Sequence, residues 1–336
     1  MISMMKLTTE VDIPKSAWNI RHDEALLLLG SCFADNMGER LKRAGFCTES
    51  NPLGTLYNPV SVAESVMRLL DERPFNVEEL HDFGAEGWGS WMAHSLLSRS
   101  SPDEALTTIN RHLAAGAAQL RRARVLIVTF GTAWVYRLKS GEIVANCHRQ
   151  PERLFIRERL TVDAVVRLWQ PLLQRLSTEH PSLHILFTVS PIRHLRGGAH
   201  ANQLSKATLL LAVEELMKNL SPLTPNLAYF PAYEIVLDEL RDYRFYADDM
   251  THPSPLAIDY LWQRFADTFF DASTHDAVHR IEDITKALEH RPLHPKSDEY
   301  RRFLRQTLLK IEEIQKEFPY FETGKLIDQC HTLLNS

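Results

Sequence analysis

Short apolar segments alternate with longer amphipathic segments along most of this 336-residue chain. The apolar runs predict four buried strands, over residues 25–29, 124–130, 183–189 and 227–233. The segments between them carry apolar residues every three or four positions, which is typical of helices packed on a core. Strands that alternate with helices of this length indicate a parallel sheet covered on both faces, an α/β fold.

The last part of the chain has a different pattern. After Asp271 the sequence is charged, amphipathic and poor in glycine, which predicts two or three helices, over residues 280–289, 298–318 and 323–334. We therefore expect a first domain over residues 1–272 and a C-terminal helical extension over residues 273–336. The extension either packs on the first domain or serves self-association into a homo-oligomer.

Composition and charge narrow the class of protein. The net charge is -5, with 44% hydrophobic and 24% charged residues, which is typical of a globular protein with a large core. Basic and acidic residues are interspersed, so we expect neither a nucleic-acid partner nor an anionic membrane surface. The longest apolar runs reach about half of the roughly 20 residues that span a bilayer, so no membrane span is expected.

Cysteine usage and the first residues predict a compartment. The four cysteines form no CxxC pair; they are Cys32, Cys47, Cys147 and Cys330. An extended lead-in over residues 6–20 carries acidic residues, and the apolar core of a secretory signal is not found there. Reduced thiols in a cytoplasmic protein are the simplest interpretation.

The strand over residues 25–29 ends in the first candidate for chemistry. Gly30 and Ser31 follow it, and Phe33, Met37 and Leu41 then recur on one face of a helix. A hydroxyl at that junction lies beside the unpaired N–H groups of the helix N-terminus, which can hold a developing negative charge. Serine is also a common helix cap, so a nucleophile and a plain cap both explain Ser31.

A second candidate lies far along the chain, in the turn-like stretch from Asp249 to His252. An Asp-x-x-His turn can aim an imidazole at a serine while the carboxylate fixes the tautomer. The same two residues, with His94 and His148, invite a zinc interpretation. Because there is no HExxH motif and no tight ligand cluster, we expect neither a metal nor a cofactor.

Three neighbours of these candidates leave alternatives open. Cys32 follows Ser31, but on a helix its side chain points about 100° away, so packing against the sheet is the simpler role. Arg193 and His194 follow the third strand. They either contact an anionic substrate or only solvate a loop.

Six clusters of residues, in one order, resemble the GSCFA domain family. They are Gly30-Ser31-Cys32-Phe33-Ala34, Asn51-Pro52 with Gly54 and Tyr57-Asn58-Pro59, Gly131-Thr132-Ala133-Trp134, Asn146-Cys147-His148, Ser190-Pro191 and Asp249-Met250-Thr251-His252. The resemblance covers about residues 25–270. The family is similar to the SGNH (GDSL-like) hydrolases, which implies a flavodoxin-like three-layer sandwich with a central parallel sheet. It also implies a catalytic triad of Ser31 as nucleophile, His252 as base and Asp249 as its orienting acid.

The resemblance further implies an oxyanion hole, with one departure from the pattern. Gly54 resembles the glycine of the second conserved block, whose N–H acts with that of the serine. The third block normally supplies an asparagine, but the chain has Thr132 after Gly131. Thr132, Asn146 or His148 is predicted to take its place. The alternative for Asn146 and His148 is that they only tie down their loop.

The resulting prediction is a serine-dependent esterase or acyl transferase. Its substrate would be an ester, such as an O-acyl carbohydrate or the ester of a small metabolite, and the sequence does not identify the acyl group. A protein of a different class is the alternative, a non-catalytic or weakly active ligand-binding relative of the same hydrolases.

Overall fold

The computed structural model describes residues 8–220 and 226–335, so the first two residues of the predicted lead-in lie outside the described residues. The strands are β1 (Ala25–Gly30), β2 (Cys47–Ser50), β3 (His81–Asp82), β4 (Trp88–Gly89), β5 (Ala123–Phe130), β6 (Trp134–Leu138), β7 (Ile143–Val144), β8 (Phe155–Arg159), β9 (His184–Val189) and β10 (Leu227–Phe230). The helices are α1 (Cys32–Arg43), α2 (Pro59–Leu70), α3 (Pro102–Arg122), α4 (Val162–Glu179), α5 (Gly198–Leu220), α6 (Ala232–Glu234), α7 (Pro255–Phe269), α8 (Ala272–Glu289), α9 (Asp298–Glu317) and α10 (Gly324–Asn335).

Five of these strands form the central parallel sheet, in the order β10-β9-β5-β1-β2. Counted along the chain this is the order 2-1-3-4-5 of flavodoxin-like sheets, so the predicted α/β sandwich is confirmed. The four apolar runs supply β1, β5, β9 and β10. The edge strand β2 was not predicted, because its sequence, Cys-Thr-Glu-Ser, has no apolar run.

The alternation of side chains along β1 explains the three layers. Leu27 and Leu29 pack into one core with α2, α3, α4 and α5. Leu26 and Leu28 point to the opposite face and pack into a second core with α1 and α7. Successive side chains of a strand point to opposite faces, so a fully apolar strand must be covered on both sides.

A small antiparallel sheet of β7, β6 and β8 lies between β5 and α4 in the chain. None of the four predicted strands falls in this region. The sequence of β8 is Phe-Ile-Arg-Glu-Arg, in which two apolar residues are followed by three charged ones, so it lacks an apolar run long enough to indicate a buried strand. The sheet begins four residues after the end of β5 and therefore near the carboxyl edge of the central sheet.

The C-terminal helices α8, α9 and α10 share an apolar core of their own, which includes Ile281 and Leu304. They also contact the first domain. His22 donates or accepts a hydrogen bond with the Tyr320 hydroxyl at 3.1 Å, and Gly45 lies against Ile281 and Phe321. Packing on the first domain is thus seen directly, and self-association through these helices stays a prediction. Within the described ranges, no helix has the length and apolar character needed to cross a membrane.

Candidate active site

Ser31 lies at the junction between β1 and α1, as its sequence context predicts. It is the N-cap of α1, and its Oγ accepts a hydrogen bond from the Phe33 N–H at 3.3 Å. The preceding Gly30 has φ of +137°, and a Cβ there would lie 2.0 Å from the Thr129 carbonyl oxygen, so only glycine fits. Ser31 itself is only 1% exposed. The hydroxyl is therefore at a helix N-terminus, with little access to solvent in this conformation.

Asp249 and His252 are paired on the turn that precedes α7. Oδ2 of Asp249 lies 2.5 Å from Nδ1 of His252, and Oδ1 accepts from the backbone N–H of Thr251 and of His252. These backbone bonds, and then the bond to the imidazole, hold the pKa of Asp249 far below its usual range. The carboxylate is thus charged, and it holds Nδ1 while Nε2 makes no hydrogen bond within the described residues.

This turn is attached to the segment that follows β9. The Arg193 N–H donates to the Thr251 carbonyl at 3.1 Å, and the Arg193 guanidinium donates to the Met250 carbonyl. His194, the next residue, is close enough to His252 for the two rings to interact electrostatically. The candidate dyad is therefore held beside His194.

Gly131, just after β5, is the point where several site residues meet. A Cβ built on Gly131 would lie 3.1 Å from Ser31 Cβ, 3.2 Å from His194 Nε2 and 3.0 Å from the Tyr57 carbonyl oxygen. Ser31 and His194 are thus close neighbours across this glycine. In flavodoxin-like sheets the order of strands reverses between the first and third strands, here β1 and β5, and ligands bind at that point.

His194 is a site residue whose role the sequence left open. Its Nε2 is buried without a hydrogen-bond partner in the described structure, and it is aimed at the Gly131 position beside Ser31. Burial first, and then the nearby charges of Lys206 and His252, lower the pKa of His194 to about 3. The ring is therefore neutral at neutral pH and carries one N–H. The only signal in the sequence was its position after a strand.

Lys206 was missed entirely. It lies on α5, is 1% exposed, and donates from Nζ to the carbonyl oxygens of Gly131 at 2.7 Å and Ser190 at 2.5 Å. Burial lowers the pKa of Lys206 to about 7. The side chain thus joins the loops that follow β5 and β9. A lysine on an amphipathic helix gives no sequence signal of burial, because such residues usually lie on the solvent face.

Gly54, the predicted backbone donor, has the conformation that a glycine requires, with φ of +82° and a Cβ position only 2.2 Å from His94 Cβ. Its N–H donates to the Asn51 carbonyl at 2.7 Å, and the N–H of Ser31 donates to Thr129 at 3.2 Å. Both predicted backbone donors are thus engaged with other carbonyls in this conformation.

The three side chains predicted to replace the missing asparagine also have other partners. Thr132 Oγ1 is 3.0 Å from Ser205 Oγ on α5. Asn146 Oδ1 accepts from the His148 backbone N–H at 2.8 Å. His148 is buried, with Nε2 2.9 Å from the Ser90 carbonyl and its ring stacked on Phe83. For Asn146 and His148 these are the loop-tying contacts named above as the alternative.

The remaining alternatives concern sulfur and metal. Burial raises the pKa of the Cys32 thiol, whose Sγ lies 3.6 Å from the Tyr57 hydroxyl, so a reactive thiolate is disfavoured there. Within residues 8–220 and 226–335, no group of three or more His, Cys, Asp or Glu side chains is placed to hold a metal ion.

A cavity of about 350 Å³ opens beside the site. Tyr57, Thr132 and His194 line it, and residues of β6, β7 and β8 contribute to its lining as well. A larger cavity of about 950 Å³ lies between the lead-in and residues 238–245, and no predicted site residue lines it.

These features define an α/β protein in which Ser31, Gly131 and His194 lie where the strand order of a flavodoxin-like sheet reverses. The model of the GSCFA family matches residues 25–265, and the model of the GSCFA domain protein, C-terminal domain, matches residues 281–336. The chain belongs to the GSCFA family, as its six sequence clusters predicted. No curated protein and no solved structure matches the chain.

Proposed function

We propose that the chain is a serine-dependent esterase or acyl transferase of the SGNH type. The observation that carries this proposal is the Asp249–His252 pair, with 2.5 Å between Oδ2 and Nδ1, on a turn bonded to the segment of His194. His194 in turn adjoins Ser31 across Gly131. A charged carboxylate, an oriented imidazole and a serine at a helix N-terminus are the parts of a hydrolytic triad.

In the proposed reaction, His252 takes the proton of the Ser31 hydroxyl at Nε2, and Oγ forms a bond to the ester carbonyl carbon. The tetrahedral intermediate collapses, the carbon–oxygen bond to the alcohol breaks, and the protonated His252 gives its proton to the leaving alcohol. Water, or the hydroxyl of an acceptor, then attacks the acyl carbon while His252 takes its proton; the bond between that carbon and Oγ breaks, and the protonated His252 returns a proton to Ser31. Asp249 stabilises the imidazolium that forms in each half.

His194 is the side-chain donor that we propose for the oxyanion. The neutral ring can donate from the unpartnered Nε2, which is aimed at the space beside Ser31. This supplies the donor that the third block lacks, since Thr132 bonds to Ser205. Lys206 donates to the Gly131 carbonyl and, when protonated, adds a positive charge near the developing negative charge.

One observation favours the second candidate, a ligand-binding relative with little or no catalysis. Ser31 is 1% exposed, and the N–H groups of Ser31 and Gly54 already donate to backbone carbonyls. An active enzyme must expose Oγ and free these donors when substrate binds. A binding protein needs neither change.

A fluorophosphonate probe separates the two candidates, because it reacts only with an activated serine. We expect labelling of the wild-type protein and of Ser297→Ala, and no labelling of Ser31→Ala. Ser297 caps α9 as Ser31 caps α1, so both variants lose a cap worth about 1 kcal/mol and only one loses the nucleophile. Turnover of short p-nitrophenyl esters should follow the same pattern.

Folded wild-type protein that neither reacts with the probe nor hydrolyses these esters would favour the ligand-binding relative. Labelling that persists in Ser31→Ala would remove Ser31 as the nucleophile. The melting temperatures of the two variants should differ from that of the wild type by similar, small amounts.

A further inference from the structure

The cavity beside Ser31 has a positively charged wall. Its lining includes three arginines, Arg157 from β8 and Arg193 and Arg196 from the segment after β9, and no aspartate or glutamate is among its lining residues. The aromatic rings of Trp134 and Tyr136 complete that wall. An ester in reach of Ser31 would extend into this space, because Tyr57 and His194 belong both to the cavity and to the surroundings of the serine.

The three arginines differ in how far their charges are already compensated. Arg196 is paired with Glu152 at 3.0 Å and bonds to the Tyr136 hydroxyl. Arg157 and Arg193 have no carboxylate partner within residues 8–220 and 226–335. Two of the three cationic groups on the wall therefore have no counter-charge of their own within the described residues.

Arg157 is held in place without using its hydrogen-bond donors. Its guanidinium carbon lies 4.0 Å from the centre of the Trp134 ring, so the group is stacked on the indole. No hydrogen bond joins the guanidinium to another group of the described chain. A stacked, oriented guanidinium presents a planar fork of N–H groups, which matches the two oxygens of a carboxylate or a phosphate.

Arg193 supplies a second, independent indication. Its guanidinium donates one N–H to the Met250 carbonyl, whereas its Nε is buried without a hydrogen-bond partner in the described structure, and its guanidinium carbon lies 4.3 Å from the centre of the Tyr246 ring. A buried donor left unpaired is costly, so a ligand that accepts from it gains the bond without competing with a protein group.

We propose that this cavity binds an anionic group, a carboxylate or a phosphate, carried by the substrate. The ester cleaved or transferred at Ser31 would then be an acidic one, with its charged end on Arg157 and Arg193. The statement about the ester rests on the proposed function, whereas the statement about the anion does not.

Calorimetric titration tests the anion site without relying on catalysis. The probes are phenyl phosphate and monomethyl succinate, which distinguish phosphate from carboxylate. We expect at least one of them to bind the wild-type protein, and Arg157→Gln to raise its dissociation constant about tenfold or more, as for a lost charge-assisted bond. Arg153→Gln is the matched control, since it removes an exposed arginine four residues away that does not line the cavity.

Arg157→Lys is a second variant, which keeps the charge and loses the planar fork; it should bind less tightly than wild type and more tightly than Arg157→Gln. Failure of the wild-type protein to bind either probe would overturn the proposal. The proposal would also be overturned if Arg157→Gln and Arg153→Gln weakened the binding of the probe equally, because the effect would then come from the change in net charge alone.

Ester turnover separates this inference from the proposed function. With p-nitrophenyl hemisuccinate and p-nitrophenyl butyrate as a matched pair, Arg157→Gln should lower kcat/KM for the anionic ester by a larger factor than for the neutral one. Arg157-dependent anion binding with no turnover of either ester would sustain the cavity and refute the esterase. Turnover that is insensitive to Arg157, together with anion binding that is equally insensitive, would refute the cavity and leave the esterase standing.

Discussion

Asp249 uses its two carboxylate oxygens for different tasks: Oδ1 accepts from the backbone of the turn, and Oδ2 lies 2.5 Å from Nδ1 of His252. The substitution Asp249→Asn therefore separates the structural task of Oδ1 from the task of Oδ2 at the imidazole. The amide oxygen can keep the bonds to the Thr251 and His252 N–H groups, while the NH₂ group cannot accept from Nδ1. We expect a folded protein in which kcat for a p-nitrophenyl ester falls roughly 10²- to 10⁴-fold.

The matched control is Asp248→Asn, because Asp248 is an exposed carboxylate of the same charge that directly precedes Asp249 in the chain. It should leave kcat within about twofold of wild type if a general change of charge has little effect. An Asp249→Asn protein with wild-type kcat would show that the carboxylate does not assist His252.

The side-chain donor of the oxyanion hole is tested by four alanine variants. We expect His194→Ala to lower kcat about 10²- to 10³-fold with little change in KM, because an oxyanion donor acts in the transition state. The other three substitutions remove the residues predicted from the sequence: Thr132→Ala, Asn146→Ala and His148→Ala. If one of these lowers kcat in that way and His194→Ala does not, His194 is not the donor.

A structural effect of His194 is separated from a catalytic one by His194→Gln. Glutamine retains an N–H donor and should recover part of the kcat that alanine loses, with a melting temperature similar to that of the alanine variant. If His194 had only a structural role, each variant would lose kcat in proportion to its loss of melting temperature, and glutamine would recover no kcat without also recovering stability.

The buried Lys206 predicts a dependence of stability on pH. Burial lowers its pKa to about 7 from the ordinary value of 10.5, so between these values the unfolded chain binds more protons than the folded one. The free energy of unfolding should therefore rise with pH across this window, by at most about 1.4 kcal/mol per pH unit for one group. Below the window the group is protonated in both states and adds no slope.

Denaturant unfolding of wild-type protein and of Lys206→Met at pH 7 to 10 measures this difference. The wild type should gain free energy of unfolding relative to the variant as the pH rises. Lys218→Met, which removes an exposed lysine on the same helix, is the control and should show no such trend. If the difference in free energy of unfolding between wild type and Lys206→Met does not change between pH 7 and 10, Lys206 keeps its proton in the folded protein over that range.

The central sheet could be predicted because each of its inner strands is buried on both faces and is therefore apolar throughout. Helix α3 likewise carries sequence signals at both ends, with Ser101 and Pro102 at its start and two arginines in its last turn. Strands β2 and β8 were not predicted. They pair along an edge or in a half-exposed sheet, where the partner strand selects the conformation and polar residues are tolerated.

The residues of the candidate site also differ in whether the sequence can predict them. Ser31, Asp249 and His252 carry local signals, a strand-to-helix junction and a turn, which a sequence displays directly. Lys206 and the orientation of His194 depend on tertiary packing, because it is the approach of α5 and of the segment after β9 to Gly131 that gives them their surroundings. Local patterns hold no information on such long-range approaches.

Gly131 offers the sharpest test of whether the approach of Ser31 to His194 matters. A Cβ at this position would lie 3.0 to 3.2 Å from the Tyr57 carbonyl oxygen, Ser31 Cβ and His194 Nε2, which is tighter than ordinary contact. Its φ lies outside the left-handed region, so alanine strains no backbone and acts by pushing its neighbours apart. We expect Gly131→Ala to lower kcat/KM roughly tenfold to 10²-fold, since small displacements of reacting groups are costly.

The control for Gly131→Ala is Gly324→Ala at the start of α10, where a Cβ meets no atom within 4 Å and the backbone is equally free of left-handed φ. It should leave kcat/KM for a p-nitrophenyl ester unchanged. The stability of both variants should be measured with the activity, so that loss of folded protein is not mistaken for loss of catalysis. A Gly131→Ala protein that is folded and retains wild-type kcat/KM would mean that turnover does not depend on the spacing of Ser31 and His194, and the proposed oxyanion donor would fail with it.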